Sequence, residues 1–147
     1  MRSIIVWIGG AALLAATAID TLAVIGRHVG LPLIGSIELM QGAVLVSASI
    51  GIIVATLDGS HARVRLLIDR LRPTARKIAD RLSDTLTLIF VLCLLAGSTW
   101  LAADLWDAHE QSEMLGVPWA LLRLFANICL VVTSAALVAR IVRGAKL

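Results

Sequence analysis

The sequence predicts an all-α membrane protein with four transmembrane helices and an amphipathic interfacial helix between the second and third. Three observations predict it. Of the 147 residues, 59% are hydrophobic and 16% charged, against about 45–50% and about 25% in soluble domains. The apolar residues fall in four runs of about twenty or more, long enough at ~1.5 Å per residue to cross a hydrocarbon core of about 30 Å. These runs are apolar nearly all round, whereas helices of soluble proteins carry an apolar stripe. The length suits a single membrane domain over residues 1–147.

The first span is expected over about 3–25. Arg2, the apolar stretch after it and Ala16-Thr17-Ala18 are also similar to a cleavable signal. The apolar run continues through Thr21 to Ile25, so an uncleaved helix is expected. Gly26, Gly30, Pro32 and Gly35 mark a short turn. The second span is expected over about 36–57. Within it Ala43, Ser47, Gly51 and Ala55 recur every fourth residue. They share one helix face and predict close approach by another helix. Asp58-Gly59-Ser60 then stops the helix. Over about 61–72, Val64, Leu67, Ile68 and Leu71 form an apolar stripe opposite basic residues. Pro73 ends that amphipathic helix and starts the next one. The third span is expected over about 83–106 and the fourth over about 118–142, opened by Pro118.

The charge distribution orients the chain. The net charge is +3, which could suggest nucleic acid, but the basic residues lie between apolar runs and no nucleic-acid partner is expected. Arg63, Arg65, Arg70, Arg72, Arg76, Lys77 and Arg81 crowd the middle loop, where anionic lipid headgroups attract them. With Arg2, Arg140, Arg143 and Lys146 they make eleven of the thirteen Lys and Arg residues on one side. Arg27 and Arg123 fall on the other side, beside the acidic segment of Asp104, Asp107, Glu110 and Glu113. The bias places both termini in the cytoplasm. Trp7 then lies toward the inner face and Trp100, Trp106 and Trp119 toward the outer one.

No motif for catalysis, metal or phosphate binding stands out, and no cofactor is expected. His28, His61 and His109 all lie outside the spans, whereas a haem-bearing membrane subunit needs axial histidines within its bundle. Cys93 and Cys129 read as small packing groups. Charges within spans are more informative, because lipid solvates them poorly. Arg123 near the start of the fourth span is expected to pair with an acid, Asp20 first, then Glu38, then Asp104. Asn127, one turn below Arg123, is expected to hydrogen-bond into that group.

Several short motifs resemble the small permease subunit of tripartite ATP-independent periplasmic (TRAP) transporters, the DctQ type. Arg27 ends the first span, and Glu38-Leu39 opens the second. His61-Ala62-Arg63-Val64-Arg65-Leu66 is similar to the family's His-Ile-x-Val-Asp-x pattern. Glu110, Ser112, Leu115, Pro118 and Trp119 resemble its segment before the last helix. Ala62 and Arg65 depart from the pattern, and the first span carries Asp20 in place of the usual Asn-Val before its arginine. The resemblance implies a scaffold for a large permease subunit, which moves a solute, often an organic acid, on a sodium or proton gradient. A periplasmic solute-binding protein would deliver that solute in a transient contact. Substrate and ion sites would lie mainly in the large subunit.

Two other functions fit four apolar helices. One is a small proton-coupled multidrug-type exporter with Asp20 as the proton carrier. Its carboxylate would be expected nearer the midplane of a chain with short loops and more aromatic residues than the 4% here. The other is a membrane anchor for a complex unrelated to transport.

Overall fold

A computed structural model describes residues 2–58, 73–108 and 110–142. Four helices account for most of them: α1 (Arg2–Val29), α2 (Ser36–Leu57), α3 (Pro73–Asp104) and α4 (Trp119–Val142). Each contains a stretch long and apolar enough to cross a membrane.

Helix α2 covers 36–57, and the other helices differ from the expected span bounds for local reasons. α1 runs four residues past Ile25, because a glycine inside a helix lowers its stability without stopping it. The stop comes at Gly30, whose φ of 80° only glycine adopts readily. The Leu31 amide then donates to the Gly26 carbonyl at 2.8 Å, closing a Schellman turn. α3 starts ten residues before the expected third span, with Pro73 as its first residue. Proline suits a first turn, where its missing N–H removes no hydrogen bond. The segment 73–82 therefore continues into the span as one helix. The amphipathic helix expected over 61–72 lies outside the described residues and gains no support. His61, Arg63, Arg65, Arg70 and Arg72 fall in that segment, while Arg76, Lys77 and Arg81 lie in the first turns of α3.

The helices pack in a row rather than around a common centre. α1 lies on α2, α2 on α4 and α4 on α3. The spatial order is therefore α1–α2–α4–α3, with α2 and α4 parallel in the middle and their neighbours antiparallel to them. One end of the row, the hairpin end, carries the α1–α2 turn and the α3–α4 connection. Buried residues among those described are few and mostly small or polar, such as Ala16, Ala23 and Thr133, with Leu137 the largest fully buried side chain. Many leucines, isoleucines and valines stay exposed, as suits a protein whose solvent is lipid.

The small-residue stripe does not mediate close packing within the chain at Gly51. That residue is exposed, and a Cβ there would meet no atom within 4 Å. The close approach falls elsewhere, at Gly9 of α1, where a Cβ would stand 2.8 Å from Ile50 Cγ2.

Candidate functional site

Two polar clusters tie the row together, one at each end. The cluster at the hairpin end forms around Glu38. Glu38 occupies the first turn of α2, where a negative charge meets unpaired backbone N–H groups and the positive end of the helix dipole. Its carboxylate reaches out to the loop before α4. It accepts from the Ser112 hydroxyl, from the Met114 amide at 2.9 Å and from the Leu115 amide at 3.0 Å. The loop is itself a compact turn. The Ser112 amide donates to the Val117 carbonyl at 2.9 Å, and the Gly116 amide to the Ser112 carbonyl at 3.0 Å. Gly35 caps α2 with a φ of 74°, and Leu115 packs over it so closely that a Cβ would stand 2.9 Å from Leu115 Cγ. Glycine is thus needed there twice, for its backbone angle and for the space.

Arg123 joins the same loop. Its guanidinium pairs with Glu110, and both side chains are partly exposed. This corrects the expected partners Asp20, Glu38 and Asp104. Glu38 is occupied by the loop, while Asp20 lies on α1, whose main packing partner is α2. Asp104 is exposed at the last residue of α3. The long arginine side chain reaches the nearest loop carboxylate instead, thirteen residues back in sequence. Asn127 does not join the group. Its Oδ1 is buried and has no hydrogen-bond partner among the described residues. Glu38, Glu110 and Trp119 line a cavity of about 650 Å³ at this end.

The cluster at the opposite end was not anticipated. Arg140, near the end of α4, donates from Nε to Asp84 Oδ2 at 3.1 Å and from Nη2 to Asp84 Oδ1 at 2.7 Å. Its third nitrogen, Nη1, donates to the Thr56 carbonyl at 3.0 Å. Arg140 is 7% exposed, Asp84 4% and Thr56 0%. The planar guanidinium suits this task, because it offers two parallel donors to one carboxylate and further N–H groups to a third partner. The Thr56 carbonyl falls in the last turn of α2, at the negative end of the helix dipole, which favours a cation. One side chain therefore joins α2, α3 and α4. In the sequence Arg140 stands out only as part of the basic side of the membrane.

Two of the segments that suggested the family also meet in space. Glu38 of the second-span motif touches Ser112 and Leu115 of the pre-α4 motif, from 74 and 77 residues away. Fold and clusters define a multi-pass α-helical membrane protein whose charged ties sit at the ends of its spans. The model of the family "Tripartite ATP-independent periplasmic transporters, DctQ component" matches residues 16–147. The chain belongs to that family and is a small membrane subunit of a TRAP transporter. Comparison with curated proteins gives no match. The family works in a tripartite complex with a large permease and a periplasmic binding protein. Neither the multidrug-type exporter nor the unrelated anchor is favoured by this match.

Proposed function

We propose that this chain, as one membrane domain, scaffolds the large permease subunit of its transporter. That subunit would take up a solute such as an organic acid, delivered by the binding protein and driven by an ion gradient. The observation that carries this reading is the position of the polar ties. Glu38, Glu110 and Arg123 cluster at one end, Asp84 and Arg140 toward the other. Between them the described helices are mainly apolar, an arrangement suited to a rigid support. The test is purification of the chain with its co-expressed large permease, followed by reconstitution. The pair should co-purify, and uptake should require the large subunit. Uptake by this chain alone would overturn the proposal. The exposed face around Gly51 is a candidate contact, since it is open within the chain. Gly51→Leu is expected to lower recovery of the complex by holding the facing backbones apart.

We further propose a bacterial inner-membrane location with both termini in the cytoplasm, supported by the eleven basic residues assigned to one side. Thr74→Cys, in a background lacking Cys93 and Cys129, should resist an impermeant thiol reagent applied to whole cells. A cysteine at Asp107 should react with it. The reverse pattern would invert the topology.

A further inference from the structure

Asp20 stands apart from both clusters. It is exposed on α1, and no hydrogen bond or ion pair joins it to the other described residues. Nine residues separate it from the end of α1 at Val29, about 13 Å of helix at ~1.5 Å per residue. That depth takes it past the helix end and into the apolar span. A carboxylate there is poorly solvated by lipid, so it needs a counter-charge, a proton or water. Arg27 lies two turns further along and lines the same cavity of about 230 Å³, but it does not pair with Asp20. Its Nε donates instead to the Ala23 carbonyl at 3.2 Å.

The surroundings of Asp20 are open to a neighbour. On one side Ala16 and Ala23 are buried against α2. On the other the surface continues over the exposed Ile37 to Val44 of α2. Val44 and Ala48 in turn line an apolar groove of about 360 Å³ with Ala126 and Leu130 of α4. Among the described residues, this surface of α1 and α2 is mainly apolar, with the unpaired Asp20 carboxylate at its edge. Among the described residues Arg27 is the cation that shares its cavity, and it does not pair with Asp20.

We propose that a lysine or arginine on a transmembrane helix of the large permease subunit, seated across α1 and α2, pairs with Asp20 inside the membrane. The charge complement selects the occupant: a lipid tail covers an apolar groove equally well but leaves the carboxylate uncompensated, whereas a helix carrying a cation satisfies both. The inference rests on the scaffold reading given above.

The test uses the full chain and its complex with the co-expressed large permease. Asp20→Asn keeps the shape and removes the charge. Because Asp20 has no partner among the described residues, the melting temperature of the subunit purified alone should not change. The dissociation constant of the complex should rise by about tenfold or more, as when one partner of a buried pair is removed. Asp20→Glu should retain binding. Asp20→Lys should abolish it, and reversing the charge of one intramembrane Lys or Arg of the large subunit should restore it. Wild-type affinity in the Asp20→Asn complex would overturn the proposal and leave the scaffold reading standing. So would a fall in the melting temperature of the isolated Asp20→Asn subunit that accounts for the loss of binding, or a failure of every charge reversal to rescue Asp20→Lys. If the wild-type subunit itself does not bind the large permease, the scaffold reading fails, and this proposal with it.

Discussion

Replacing Arg140 with alanine should destabilise the protein by about 3–5 kcal/mol, the cost expected when one partner of a buried ion pair is removed. The change leaves the Asp84 carboxylate, only 4% exposed, without its bidentate partner and takes a donor from the Thr56 carbonyl. Three helices lose their common tie. Arg140→Lys should fall between wild type and alanine, since an ammonium keeps the charge but not the planar fork that meets both Asp84 oxygens. Arg140→Leu combined with Asp84→Leu should recover most of the loss, because apolar replacement of a whole buried pair is often close to neutral. Equilibrium unfolding in mixed micelles would measure all four variants. Additive losses at Arg140 and Asp84 would show that the two side chains contribute independently.

Glu38→Ala should release the loop before α4. Three donors converge on this carboxylate, two of them backbone amides, of which Leu115 is shared with Ser112 Oγ at 3.2 Å. Hydrogen exchange at Met114 and Leu115 should accelerate by about tenfold or more, since these amides would open with the loop. Glu38→Gln keeps one carbonyl acceptor and should give a smaller change. Asp104→Ala, at the exposed end of α3, should leave both amides as they are. Unchanged exchange in Glu38→Ala would mean that the turn bonds of Ser112 and Gly116 hold the loop without help from α2.

The two clusters differ in how far sequence foretold them, and the difference is physical. The apolar runs were plain, because lipid tolerates little polarity along about twenty residues. Helix ends were less so. Gly26 reads as a stop but lies inside α1, since what ends a helix is the left-handed angle, and Gly30 supplies it. Glu38 and Arg123 were marked as charges within spans, but their partners lie in the loop, and loop geometry has no periodic signal. Arg123 therefore pairs with Glu110 and not with Asp20, Glu38 or Asp104. The Arg140–Asp84 pair was legible in principle. Asp84 lies twenty residues before the end of α3, and Arg140 twenty-one residues after the start of α4. In antiparallel helices those offsets put both side chains at nearly the same height. Arg140 hides among the basic residues that close the chain, where charge alone gives no sign of its depth.

The positions of the ties have a consequence for the lipid around the protein. Eighteen residues separate Glu38 from Thr56, about 27 Å of helix at ~1.5 Å per residue. Polar groups at both ends of that stretch favour a hydrocarbon layer of similar height, slightly below the average of about 30 Å. α1 and α3 are 28 and 32 residues long, or about 42 and 48 Å by the same rise. They meet such a layer only by tilting or by extending beyond it. The row therefore favours a thinner layer beside its central pair than its outer helices would by length alone. Any helix that settles against α2 must present an apolar belt of matching height, so bilayer thickness becomes a selector of which membranes, and which neighbours, this subunit accepts.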